Sequence, residues 1–364
     1  MRKLPSKTYA QHKGCLFKLS AQIGGRSMIS EFSRGVKVPK RRGEPVRRAL
    51  LTLGALDRSR KIFSKGDYIC LPVLDLDRRA MDLLVSISEF EVADLPFQTE
   101  PEVATAQGLL GFKPSFDVVG DIAIVDPEDA EKVASALMTV NKSIRTVIAP
   151  VSDVEGEFRT RRFWHVTGED RTSTIHKEHG LRYKIDLQEA YFTPRLGTER
   201  LRIISQTKPS DVVLDMFAGV GPFALPVARR CQKVIAIDKN PLAVKYMREN
   251  ALMNKIDNIE IFEGDARDLA VRYECTADQV IMNLPHSASE FLDPAIRAAK
   301  DGGIVHYYAM SPEEDLYGDL RKIERSAEKL GANVELAYKG IVRSYSPRRY
   351  NVVIDFRVLK PGTP

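Results

Sequence analysis

From Asp211 onward the chain alternates short apolar runs with helical patterns: DVVLDMF, PFALPVARR, KVIAID, PLAVKYMRENALMN, IEIFEGD, DQVIMNL, SEFLDPAIRAA and GGIVHYYAM. This alternation leaves few architectures. Strands that are apolar along their length and joined by helices bury both faces, and they do so in a parallel sheet. The pattern predicts a doubly wound α/β unit. The stretch NVELAYKGIVRSYSPRRYNVVIDFRVL then gives two strand patterns with no helix between them, which fits an antiparallel hairpin at a sheet edge.

The 364 residues exceed what one simple core organises. Residues 1–33 show no sustained period and read as a loose basic extension. Residues 34–97 read as a small α+β domain, with a strand at Val36–Val38 and a helix from Pro45 to Leu53 that Gly54 stops. A linker follows. Residues 111–190 read as a second α+β domain, with a turn at Gly120-Asp121 and a hairpin turning at His179-Gly180. Residues 191–364 complete the chain as the α/β domain.

Charge is uneven. Residues 1–43 hold 11 of the 55 Lys and Arg and 1 of the 49 Asp and Glu, a net of +10, which leaves −4 for the remainder. A nucleic-acid partner therefore has to be argued from local clusters such as RTRRFWH. Cys15, Cys70, Cys231 and Cys275 are scattered with no CxxC pair, so a zinc site or disulfide framework is not expected. No apolar run reaches membrane-spanning length and no signal peptide opens the chain; the scattered cysteines suggest reduced thiols in a cytoplasmic protein.

VVLDMFAGVGPFALP reads as strand, glycine-rich turn and helix. Asp215 ends the strand. Gly219 and Gly221 are expected to let backbone approach a ligand, with Pro222 in the first helical turn. The next strand ends on Asp238, placed to accept two ribose hydroxyls. The third ends in EGDARD, where Asp265 is placed to face an adenine amino group. Acids at three successive strand ends lie where open α/β sheets bind ligands. The run also fits GxGxxA, so a dinucleotide-dependent dehydrogenase stays open on glycines alone, although no hydride-transfer constellation is in sight.

The acid ahead of the glycines resembles class I S-adenosylmethionine (AdoMet)-dependent methyltransferases. The fourth strand ends in Asn283-Leu-Pro285, a departure from the Asn-Pro-Pro-Tyr of many base-modifying members, with no stacking aromatic at His286. The set EGEFRTRRFWHVTGEDRTSTIHKEHG, YFTPRLGTERLR, DMFAGVGPF, NLPHSASEFLD, GGIVHYY and SYSPRRY resembles the archaeal and eukaryotic tRNA (guanine-37-N1)-methyltransferases from about Val36 onward. The resemblance implies a Rossmann-like class I methyltransferase domain preceded by two smaller α+β domains, the first recognising tRNA. It implies a monomer that methylates guanine 37 of tRNA with AdoMet. Mg2+ enters as an accessory ion, with no dedicated metal cage in the sequence.

By motif match, the resemblance implies Arg159 as the catalytic arginine, Glu199 as the general base and Asn283 as the guanine-contacting amide. Tyr191 and Phe217 join Asp215, Gly219, Gly221, Asp238, Asp265 and Asn283 around the cofactor, and Arg195 and Pro285 fall beside the substrate. Guanine N1 must lose a proton before it attacks, so a carboxylate base is needed. Charge then builds on O6, where a guanidinium stabilises it. Plainer readings stand beside these. Arg159, Arg161 and Arg162 all suit phosphate contacts. Glu199 suits a helix first turn and Asn283 a strand-end turn. His286 and His306 read as packed or capping residues, and Trp164 as a core aromatic. Wybutosine-pathway aminocarboxypropyl or methyl transferases acting on position 37 share the fold and the cofactor.

Overall fold

The computed structural model describes residues 30–99, 105–152 and 156–361. Most of the expected N-terminal extension lies outside these residues. Residues 30–33 do not belong to an extension: they open a strand paired with the far end of the first sheet, Ser30 opposite Gln98.

The chain forms two compact units, divided near residue 104. The first contains β1 (Ser30–Pro39), α1 (Gly43–Thr52), β2 (Phe63–Lys65), β3 (Tyr68–Pro72), α2 (Arg78–Ile87) and β4 (Glu91–Gln98). Its antiparallel sheet runs β2-β3-β1-β4. Val36, Val38, Val46, Leu50, Leu71 and Leu84 make its core. Asp77 caps α2 by accepting the Ala80 N–H at 2.7 Å.

The second unit begins where a linker was expected, with the short helix α3 (Ala106–Leu110), whose cap Thr105 accepts from the Gly108 N–H. Then come β5 (Phe116–Val119), β6 (Ile122–Val125), α4 (Ala130–Val140), β7 (Thr146–Pro150) and β8 (Phe163–Gly168), forming a sheet in that order with β6 and β7 parallel. The hairpin β9 (Ser173–Glu178) and β10 (Leu181–Asp186) follows. It turns through His179 and Gly180, both at positive φ, as expected. The sequence reading divides this stretch at 190/191. The hydrophobic core runs across that position, joining Ile122, Ile148, Tyr183 and Ile185 to Val213, Phe223 and Met247.

The remaining elements are α5 (Gly197–Gln206), β11 (Val212–Asp215), α6 (Ala224–Ala228), β12 (Lys233–Asp238), α7 (Pro241–Met253), β13 (Ile259–Glu263), α8 (Ala266–Leu269), β14 (Ala277–Met282), α9 (Leu292–Ala298), β15 (Ala299–Pro312), α10 (Leu320–Lys329), β16 (Asn333–Ser346) and β17 (Arg349–Leu359). Seven strands form one sheet in the order β13-β12-β11-β14-β15-β17-β16. β11 to β15 are parallel, and β17 and β16 run antiparallel as an edge hairpin. Strand order reverses between β11 and β14, the place where doubly wound sheets open a crevice at their carboxyl ends. No helix among the described residues is long and apolar enough to cross a membrane.

Candidate active site

A cleft opens at that crevice. Phe217, Gly219, Asp238 and Asp265 line one part of it, and Arg159, Tyr191, Asn283 and Pro285 another. Sequence reasoning had assigned all eight to the site.

Asp215 lies behind the cleft rather than on its wall. It is 1% exposed, and its Oδ1 accepts the Phe217 N–H at 3.3 Å. Burial, with the charge of Asp238, pushes its carboxyl up to about 7. Its Oδ2 is buried without a partner.

The two glycines do different jobs. Gly219 has φ +56, and a Cβ there would meet nothing closer than the Tyr191 carbonyl oxygen at 4.0 Å. Its N–H donates to Asp238 Oδ2 at 2.6 Å. The backbone is thus uncrowded on that side of Gly219. Gly221 corrects the expectation: at φ +92, a Cβ would sit 2.8 Å from Leu225 and 3.2 Å from Met247. It is a packing glycine in the turn under the core. Gly221→Ala is expected to cost about 1–3 kcal/mol, read as a lower Tm. Pro222 also falls in that turn, ahead of α6 rather than inside it.

Asp238 ends β12, and burial raises its pKa. Its Oδ1 accepts the Asn240 N–H at 2.9 Å, while Asn240 caps α7. Asp265 caps α8 through the Arg267 N–H, and the Arg267 guanidinium and Lys239 also bind it. The Arg267 pair holds its pKa down at about 2, so it enters any ligand contact as a carboxylate. Phe217 meets Phe291 edge-on at 4.8 Å, giving the cleft an aromatic wall.

Arg159 sits at positive φ, +55, with its guanidinium 5.4 Å from the centre of the Tyr191 ring. Its Nε is buried with no partner. Beyond β14, the Pro285 carbonyl accepts the Met310 N–H at 2.9 Å, which anchors the Asn283-Leu284-Pro285 turn to β15. A second cavity adjoins the cleft and shares Arg159, Tyr191 and Arg343 with it. Arg161, Arg195 and Tyr345 complete a basic, aromatic wall there. Arg195 therefore faces the outer cavity, not the cleft, with its Nε 2.7 Å from Asp117 Oδ1.

Glu199 is the largest departure. It is not among the residues lining either cavity. It is 9% exposed, and its Oε1 accepts from Tyr308 Oη at 2.6 Å and Arg202 Nη2 at 2.7 Å. Arg202 also pairs with Asp355, which lies 2.9 Å from His306 Nδ1. His306 is fully buried in this network, as a packed residue. The plain reading of Glu199 as a solvated first-turn acid also fails, because the helix turns it inward. Trp164 is 40% exposed on β8, not a core aromatic.

Sequence reasoning missed Arg200, Arg343 and Asn351, all of which line the cleft. Arg200 is 1% exposed; its Nη1 donates to Glu178 Oε2 at 2.7 Å and its Nη2 to the Thr193 carbonyl. Leu196, Arg200 and Ile203 share one helix face, so an Arg on a buried stripe was the available signal. Removing Arg200 strands the Glu178 carboxylate. Arg200→Met is expected to cost about 3–5 kcal/mol, measured by denaturant melts.

A parallel sheet with a glycine turn and strand-end acids at its switch point, and an edge hairpin closing the far side, defines a nucleoside-cofactor transferase of the class I methyltransferase kind. Residues 174–336 match the TRM5/TYW2 methyltransferase domain, and residues 35–80 match the tRNA methyltransferase 5 N-terminal domain. Trm5b of Pyrococcus abyssi, a tRNA (guanine(37)-N(1))-methyltransferase, is 43% identical over 89% of this chain and 98% of its own. The structure of aTrm5 in complex with tRNALeu is 34% identical, covers 89% of this chain and 99% of that chain, and has a TM-score of 0.63. A tRNA(Phe) (4-demethylwyosine(37)-C(7)) aminocarboxypropyltransferase of Methanocaldococcus jannaschii is 34% identical over 66% of this chain and 96% of its own. This chain belongs to the Trm5 family of tRNA methyltransferases.

Proposed function

We propose that the chain transfers the methyl group of AdoMet to N1 of guanine 37 in tRNA. One observation carries this choice within the family. The likeness to the guanine-37 enzyme of Pyrococcus abyssi runs over 89% of the chain, and an N-terminal domain of the same kind is matched at residues 35–80. The aminocarboxypropyltransferase aligns with only 66%.

The residues present fit AdoMet. Gly219 leaves backbone open, and Asp238 and Asp265 present side chains to the cleft at the ends of successive strands. When bound, AdoMet supplies an electrophilic methyl group. The other steps belong to the chain. Glu199 takes the N1 proton after turning from Tyr308 and Arg202 toward the cleft. Arg159, with a free buried Nε, donates to O6 as charge builds there. Asn283 holds the base edge through its amide. Arg161, Arg195 and Arg343 neutralise anticodon-loop phosphates, and Tyr191 and Tyr345 offer stacking faces. Among the described residues no group of three or more His, Cys, Asp or Glu is placed to hold a metal, so no step is assigned to Mg2+. We further propose a monomer acting in the cytoplasm.

The test is to incubate the protein with AdoMet and unmodified transcripts bearing guanine or adenine at position 37, then map products by digestion and mass spectrometry. One added methyl at N1 of guanine 37, absent with adenine, is expected. An aminocarboxypropyl increment, or no product, overturns the assignment.

A further inference from the structure

Arg159 is carried by a turn, not by a helix or a strand. It lies between β7 and β8, and its N–H donates to the Gly156 carbonyl at 3.2 Å. Gly156 has φ +66 and Arg159 φ +55. A residue with a side chain keeps such a backbone only where its surroundings hold it. The Tyr191 ring beside the guanidinium is one support. Another lies two residues earlier in the chain: Glu157 Oε1 accepts from Lys239 Nζ at 2.5 Å.

Lys239 directly follows Asp238, the last residue of β12. Its ammonium also reaches Asp265 Oδ2 at 3.4 Å. Asp265 is anchored on its own account, as the cap of α8 and the partner of Arg267. Glu157, Lys239 and Asp265 all line the cleft. One ammonium thus stands between two carboxylates, one on the cofactor wall and one on the turn that carries Arg159. Without it the two acids repel each other and the turn loses this tie to the wall.

As a surface ion pair the contact is minor. The Lys239 and Glu157 side chains are 45% and 60% exposed, and such pairs stabilise a fold little. Its place gives it a use. A guanidinium stabilises developing charge only when it is already aimed at it, and a small misplacement of a positioned group slows a reaction.

We infer that Lys239 is a positioning residue, which ties the Glu157 turn to Asp265 and so keeps Arg159 aimed into the cleft. It acts through Arg159 and touches no reacting atom. The inference rests on the role given to Arg159 in the guanine-37 reading.

The test measures single-turnover methyl transfer to guanine-37 transcripts at saturating AdoMet and tRNA, with AdoMet affinity by calorimetry. The variants are Lys239→Met, which keeps the apolar stem, Glu157→Gln, the two combined, and Lys239→Met added to Arg159→Ala. Lys239→Met and Glu157→Gln are each expected to slow transfer by about 3- to 5-fold, the reach of one exposed ion pair. The combined variant is expected to be no slower than the slower single one, because both changes remove one contact. Added to Arg159→Ala, Lys239→Met is expected to slow the residual transfer no further. AdoMet affinity is expected to stay within about 2-fold for Lys239→Met and Glu157→Gln, since the apolar stem and the Asp265 anchor remain. A wild-type rate in Lys239→Met, losses that multiply in the combined variant, a loss that persists without Arg159, or a loss confined to AdoMet affinity each overturns the inference. A wild type inactive on guanine 37 instead overturns the proposed function.

Discussion

Glu199→Gln is expected to slow methyl transfer to guanine 37 by about 10²- to 10⁴-fold, the usual range for removing a general base. The substitution preserves shape and one acceptor oxygen but cannot take a proton. The structure makes the experiment sharper than a motif match does. Glu199 is tied to Arg202 and Tyr308 and to the buried chain through Asp355, His306 and Gln279. A residue that only braces this network would, on substitution, lower Tm while leaving the rate of the folded fraction intact. A base would lose rate with AdoMet and tRNA still bound. Single-turnover rate and melting temperature, measured on one preparation, separate the two. An unchanged rate removes Glu199 from the chemistry.

Asp215→Asn is expected to stabilise the ligand-free protein at pH 8 and to weaken AdoMet binding. Its folded-state pKa, about 7, lies above the ordinary aspartate value near 3.8. A raised folded pKa means that the folded state holds the proton more tightly. The contribution of Asp215 to stability is therefore fully present below about pH 4 and is lost as pH rises to about 7. At pH 8 the buried charge costs at most roughly 4 kcal/mol, the shift converted at 1.36 kcal/mol per unit. The amide has no such penalty, so the Tm difference between variant and wild type should grow from pH 4 to pH 7 and then level off. Asp215 Oδ1 holds the glycine turn by accepting the Phe217 N–H, and a neutral amide holds that turn less firmly, which is the route by which the variant weakens AdoMet binding. Equal AdoMet affinity in the two proteins would show that the amide holds the turn as well as the carboxylate does.

The parts of the site legible in the sequence are those fixed locally. Asp238 ends β12 and Asp265 lies two residues past β13, while Gly219 and Phe217 belong to the turn that follows Asp215. A short apolar run closed by an acid was enough to place them. Gly221 was misread because a glycine pattern cannot tell a ligand contact from a Leu225 packing contact. Arg343 and Asn351 escaped because their position depends on register: only when β17 inserts between β15 and β16 do residues 310, 343 and 351 stand side by side. The polar break at Asn351 ahead of an apolar run was the visible sign. The expected division at residue 190 fell between a hairpin pattern and the helical pattern after it, whereas Tyr183 and Ile185 find their core partners beyond it.

The strand order also sets a sequence of assembly. The elements that carry the proposed cofactor residues end with the turn after β14 and emerge from the ribosome first. The substrate wall waits for β16 and β17, because Arg343 and Asn351 are made after every parallel strand is complete. A nascent chain halted between α10 and β16 carries all the proposed cofactor residues and lacks one side of the base pocket. The substrate wall is thus the last part of the site to be synthesised, after every residue proposed to hold the cofactor.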